Sequence, residues 1–521
     1  VFCFYGTSVY DEGGYLYEGW LMVAHDLTPY RDLYTKTTPL IFYLYGWGQH
    51  LLGPGLLVGR VQACAMALLG LLLAVATARR LGGKWAAVLT AWLFATSLAA
   101  HSHYYHAFAI APASLFVALT AYLLIVPRPG PVPLLGAALS ATAIFLCRHD
   151  LIFISAVAWL YLLLVYPLPL RWRLGSWGLS LLAILGLMIP LYLGDPLAFL
   201  YMMSAGSIGP KIVAPASYGE ATSASLHSLA WHVMIFLRYY AGTWLLLLPA
   251  LAGGLVAWRA PGWARHHAPW LLLGGMAAAN WLGHLLAALA LGLNIFYLLD
   301  FYIFFPLTTL AAAAFGRLLS AQTEPLNRVR WATVAGLAIV LCPVLTGPGP
   351  HLQISLSRPT VLEQVRLGGE FLARHTTPED VIFTLDDPQQ FLEARRLMIP
   401  ELTHELFSYR ESDQTEDLAR VRLFNDDHIR QWLSGQATVA VMSEGTWRWM
   451  ATTDRYPGGQ RLHDLVRKLL DDNYELVAEE PGGYSGPTRL YRLRPDREGH
   501  RPAHAETQSQ TPTQHGLRGA P

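Results

Sequence analysis

Charge is what this chain has least of. Asp, Glu, Lys and Arg make up 14% of its 521 residues and hydrophobic residues 53%, against roughly 25% charged in an ordinary soluble protein. Such a surface is solvated mostly by lipid. Cysteine is scarce as well: Cys3, Cys64, Cys147 and Cys342 all lie in or beside apolar runs, which argues against a disulfide framework and for buried thiols. No Gly-rich phosphate cradle, Walker motif or Ser-His-Asp arrangement is present, so a soluble nucleotide-sugar donor has no support. No basic run marks a nucleic-acid partner, and a net charge of +1 singles out no partner. The chain opens without an initiator Met, and 1–9 is too short to cross a bilayer, which takes about 20 residues. It reads as the end of an apolar run, so a further first span is expected ahead of it.

What charge there is falls unevenly. It is sparse from Leu56 to Thr346 and returns to a soluble level from His351 to Arg497. Apolar runs of membrane length lie at 56–81, 84–100, 107–126, 134–147, 151–166, 174–193, 231–258, 269–293, 296–319 and 331–345. One helix over 134–166 would be about 50 Å long at about 1.5 Å per residue, too long for one upright crossing of about 30 Å. Two spans turning at Arg148-His149-Asp150 are therefore predicted. With that turn, Arg79, Arg80, Lys84, Arg128, Arg171, Arg173, Arg259, Arg265, Arg317, Arg328 and Arg330 fall on one side, opposed there by Glu324 alone. The positive-inside rule makes that side cytoplasmic.

The expected fold is a polytopic α-helical membrane protein of about ten spans plus the missing first one. Its parts are a first extracytoplasmic loop (1–55), a transmembrane domain (56–346), an extracytoplasmic α/β domain (347–497) and a disordered tail (498–521). In the α/β domain, "VLEQVRLGGEFLARH" and "RLHDLVRKLLDDN" read as amphipathic helices. "DVIFTL", "TVAVMS", "YELVAEE" and "TRLYRLR" read as strands.

The first loop holds the chemistry. "YDEGGY" puts Asp11 and Glu12 at the head of a short interfacial helix over 11–26, with Tyr15, Leu16, Trp20 and Val23 at helical spacing. A capped helix start, where the macrodipole favours a carboxylate, accounts for the pair without any chemistry. A second helix starts at Thr38-Pro39 and stops at Gly53-Pro54. Arg60 then enters the next span, either snorkelling or holding an anion. Arg148 and Asp150 pair with each other or serve a site. Asp300 is an intramembrane acid, with Arg238 as a candidate partner. Lys211, Tyr218 and Glu220 lie in a long outer loop, 194–229, which is long enough to cover a site; loops of this length are either functional lids or disordered. The histidines of "HSHYYH", His101, His103 and His106, do not align on one helix face, so aromatic anchoring at the interface accounts for them better than zinc.

In order and spacing, Asp11-Glu12-Gly13, then "DLTPYRD" (26–32), "KTTPL" (36–40) and Arg60 resemble the C-type (GT-C) glycosyltransferases. These are polyprenyl-phosphate-sugar-dependent enzymes, and the likeness is to the protein O-mannosyltransferase and aminoarabinose transferase branch. The match covers about 60 residues in detail. Four features depart from the pattern: no Gly precedes Pro29-Tyr30, two Thr separate Lys36 from Pro39, "HSHYYHAFAIAPASL" lacks an acid, and the expected leading span is missing. The resemblance implies inverting transfer of a sugar from a polyprenyl-phosphate donor to an acceptor glycan, lipid or protein. The site would lie at the extracytoplasmic face of the plasma (inner) membrane. Asp11 would be the general base and Glu12 its second, with Arg60, Lys36 and Arg148 holding the donor phosphate. Asp32, Asp150 and Asp300 would be further site residues. No cofactor is required, and a divalent metal is not favoured. The rival class is a transporter or flippase of lipid-linked saccharides, for which an internal repeat would be expected and none is found.

Overall fold

The computed structural model describes residues 10–35, 37–97, 103–126, 128–205, 263–291, 302–321, 359–404, 408–411, 415–452 and 459–498. The chain divides into two compact units, Val1–Leu362 and Glu363–Pro521. Among the described residues the first unit is helical. Its helices are α1 (Tyr10–Ala24), α2 (Leu40–Leu52), α3 (Leu56–Thr96), α4 (Ile110–Leu124), α5 (Pro131–Cys147), α6 (Ile152–Leu164), α7 (Leu170–Gly194), α8 (Pro196–Ala205), α9 (Trp263–Leu291) and α10 (Phe304–Ala321). The runs predicted at 231–258 and 331–345 lie outside the described residues.

Two of these helices, α3 and α7, are long and apolar enough to cross a membrane, with mean hydropathy 2.1 and 1.9. The sides they bury identify the solvent. In α7 the inward residues include Ser176 and Ser180, while Leu181, Leu182, Leu185 and Ile189 face out. Water would reverse that arrangement. In lipid the apolar side chains lose nothing by facing outward, and small polar residues favour the helix contact, where Ser180 Oγ donates to the Ala138 carbonyl at 3.2 Å.

Helix α3 takes in the run predicted at 56–81 and most of the one at 84–100, because its two parts are joined at Gly83 (φ +80°) with no intervening loop. A side chain there would be strained. On either side of this break α3 packs on α10 through small residues. Ala78, Ala86 and Ala312 form the contact, and a Cβ on Gly82 would lie 2.6 Å from the Ala313 carbonyl oxygen. The predicted turn between the spans at 134–147 and 151–166 is a single 3₁₀ turn, His149–Leu151.

The second unit is α/β. Its strands β1 (Ile382–Thr384), β2 (Val439–Ser443), β3 (Tyr474–Glu480) and β4 (Thr488–Leu493) form one sheet in the order β1-β2-β4-β3. The pair β1/β2 is parallel and the other two pairs are antiparallel. Its main helices are α11 (Val361–His375), α12 (Gln389–Ala394), α13 (Glu444–Thr452) and α14 (Gly459–Asn473). The parallel strands are buried throughout, as continuous apolar runs require, whereas edge strand β3 is largely exposed.

Candidate functional site at one end of the helical unit

The first turn of α1 is held by a buried ion pair. Glu12 and Arg60 are both fully buried. Arg60 donates to both carboxylate oxygens, Nε to Oε1 at 3.0 Å and Nη2 to Oε2 at 2.9 Å. The Ala107 amide donates to Oε1 at 3.1 Å, and His106 Nδ1 lies 3.2 Å from Oε2. Burial alone would push the Glu12 carboxyl up. Arg60 and His106 outweigh it and hold it down at about 2. The Arg60 guanidinium also lies over the Tyr105 ring, 5.4 Å from its centroid. This bidentate geometry ties α1, α3 and the approach to α4 into one block.

Glycine lets the helices come close enough for that block to form. A Cβ on Gly19 would meet the Phe42 carbonyl oxygen and the backbone of Gly46, and one on Gly46 would meet the backbone of Gly19. The start of α2 is fastened in turn: Thr38 Oγ1 donates to the Phe145 carbonyl at 3.0 Å, and Tyr45 donates to the Phe108 carbonyl at 2.9 Å.

A second charged group lies at the 3₁₀ turn. Arg148 Nε lies 2.8 and 2.9 Å from the two Asp150 oxygens, and its Nη1 donates to the Tyr302 hydroxyl at 3.0 Å. His284 Nε2 stands 4.0 Å from Asp150 Oδ2, its other nitrogen lying 2.7 Å from the Asn280 carbonyl oxygen. Unlike Arg60, this pair reaches solvent: 17% of the Arg148 side chain and 21% of that of Asp150 are exposed. Helix α2 links the two groups: Thr38 at its start bonds the carbonyl of Phe145, three residues before Arg148, and its Tyr45 bonds the carbonyl of Phe108, next to Ala107, so the Arg60 and Arg148 groups share one end of the helical unit. Arginines elsewhere cap carbonyls near helix C-termini or the α3 break: Arg80 at Tyr122 and Ile125, Arg173 at Leu163, and Arg317 at Leu81.

Asp32 shapes its own loop. It accepts from the Thr28 amide at 2.8 Å and pairs with Arg31, in a turn where Asp26 and Tyr30 have left-handed φ of 55° and 67°. Tyr30 is fully buried and donates to the Thr37 carbonyl at 2.8 Å. Burial first, and Glu18 second, push its phenol well above the usual range. Asp11 lies in the first turn of α1, with its side chain outside the described residues. Lys36, Asp300, Arg238, Lys211, Tyr218 and Glu220 lie outside them altogether.

In this structure Arg60 and Glu12 are buried counter-ions of one another, and no part of Arg60 reaches the surface. His106 does more than decorate the interface: it is fully buried against Glu12 and 3.9 Å, centroid to centroid, from Tyr105. Among the described residues no group of three or more potential ligands could hold a metal. Sequence reading missed His284, although "ANWLGHLL" carries the signal, Asn280 and His284 four apart in an otherwise apolar helix.

The helical unit with a charged group at one end, followed in sequence by an α/β unit, shares its fold with solved GT-C proteins. The chain is similar to ArnT from Cupriavidus metallidurans in two crystal structures. One is of that protein bound to undecaprenyl phosphate, at TM-score 0.55 and 15% identity, covering 94% of this chain and 95% of that one. The other is of its apo state, at TM-score 0.53 and 15% identity, covering 94% of each chain. No protein-family model matches the chain, and no curated protein matches it by sequence.

Proposed function

We propose that this protein transfers a sugar from a polyprenyl-phosphate carrier to an acceptor hydroxyl at the extracytoplasmic membrane face. The observation carrying the reading is the shared fold over 94% of the chain with a protein whose structure holds undecaprenyl phosphate. The charged end of the helical unit supports it, because it offers in Arg148 a partly exposed cation.

In the proposed reaction the acceptor oxygen attacks the anomeric carbon, Asp11 takes its proton, and the bond from that carbon to the phosphate oxygen breaks with inversion. The lipid phosphate leaves as an anion already stable at neutral pH, so no general acid is needed. Arg148, the more exposed of the two arginines, and Lys36 stabilise the charge on that phosphate. The Glu12–Arg60 pair fixes the helix turn that carries Asp11. Arg80, Arg173 and Arg317, which cap carbonyls elsewhere in the unit, belong to the side the positive-inside rule makes cytoplasmic.

The test is transfer of labelled sugar from a polyprenyl-phosphate donor by full-length protein. Asp11→Asn keeps the shape and cannot take a proton, so turnover falls about 10²-fold or more with donor binding retained. Near-normal turnover in the folded variant rejects Asp11 as the base.

A further inference from the structure

The second unit has a concavity of its own, and the helical periodicity of two segments builds it. In α14, Leu462, Val466 and Leu470 are buried. His463, Arg467 and Asp471, at every fourth position, line a neighbouring stripe. In α13, Glu444, Trp447, Arg448 and Ala451 recur at helical spacing and line the same space. Strand β4 closes it with Arg489 and Tyr491, leaving a cavity of about 330 Å³. That volume lies at the lower end of small-ligand pockets, roughly 300–1,000 Å³.

The lining combines three guanidinium groups, two carboxylates and aromatic rings. Trp447 is fixed by an edge-on contact with His463, ring centroids 5.1 Å apart. Arg448 pairs with Glu444 at 3.2 Å and Arg489 with Glu479 at 3.3 Å, their side chains 75% and 39% exposed. Exposed pairs of this kind contribute little to stability, so a bound anion can draw these arginines away at small cost. Arginine presents a planar fork suited to phosphate or carboxylate. A ring such as that of Trp447 suits the C–H face of a sugar, and Glu444 and Asp471 can accept from its hydroxyls.

We infer that this pocket binds a saccharide bearing a phosphate or carboxylate group. The inference does not rest on the transferase reading, and direct binding tests it separately from turnover. Full-length protein in detergent is titrated calorimetrically with glucose 6-phosphate, glucuronate, glucose and inorganic phosphate. Saturable binding of at least one of the two charged sugars is expected, at least 10-fold tighter than glucose or phosphate alone. Arg467→Glu and Trp447→Leu each weaken it at least 10-fold. Arg467 is exposed on α14, and Arg467→Gln, neutral and similar in length, is the companion variant if the charge reversal misfolds. Equal affinity for glucose and the charged sugars overturns the inference. So does binding unchanged in a folded Arg467 variant, which puts the ligand elsewhere, and so does no saturable binding at all.

Discussion

Removing one member of the Glu12–Arg60 pair tests whether it is an anchor or part of a phosphate site. Both residues are fully buried. Arg60→Met leaves the Glu12 carboxylate with the Ala107 amide and His106 as its remaining contacts described above. An uncompensated buried charge costs about 3–5 kcal/mol. Glu12→Gln takes the carboxylate from the buried Arg60 guanidinium, which cannot lose its charge, so it also costs about 3–5 kcal/mol although the amide oxygen still accepts from Ala107. The double change Glu12→Gln/Arg60→Met removes both charges, so its cost falls short of the sum by about 2 kcal/mol or more. The assay is reversible unfolding in mixed detergent micelles, run as a double-mutant cycle, with donor binding measured on the same four proteins. A coupling below about 0.5 kcal/mol refutes the anchor. So does loss of donor binding in the folded double variant, which returns Arg60 to the phosphate.

The Arg148–Asp150 pair behaves differently if Arg148 serves the donor: Arg148→Gln and Asp150→Asn each lower transfer, and the double neutral variant stays inactive. Recovered transfer in the double variant makes the pair purely structural. In the second unit Asp386 is buried, accepting from Ser443 and Thr446, and burial raises its carboxyl above the ordinary 3.8 despite those bonds. A carboxyl raised on folding holds its proton longer in the folded state. Stability therefore falls as pH rises from about 3.8 through the raised value and is level above it. The melting temperature of wild type relative to Asp386→Asn falls over that window, and a difference independent of pH refutes the assignment.

Local pattern made the helices legible, and distance in sequence hid the site contacts. The split at Arg148-His149-Asp150 followed from bilayer thickness, and the start of α2 from Thr38-Pro39. The spacing of Tyr15, Leu16, Trp20 and Val23 did not single out a buried face of α1, because every residue from Glu12 to Met22 is buried and Val23 only half so. Likewise "DVIFTL" and "TVAVMS" contain β1 and β2. Periodicity says nothing about which buried charge meets which. Glu12 and Arg60 lie 48 residues apart, and Glu12 and His106 lie 94 apart. From sequence alone Arg60 either snorkels or holds an anion; in the fold its guanidinium meets the Glu12 carboxylate. His284 and Tyr302 join Arg148 only when α9 and α10 fold back on the turn.

The crossing of Gly19 and Gly46 makes the stretch from 25 to 39 a closed excursion whose two ends are fastened by the helices on either side. The cost of bringing those ends together is met by the α1–α2 contact, and further length adds to it only logarithmically, about 0.6 kcal/mol per doubling. Extra residues therefore enter this excursion most cheaply at its exposed turn, beside Arg31, and not at Tyr30, which is buried and bonded to the Thr37 carbonyl.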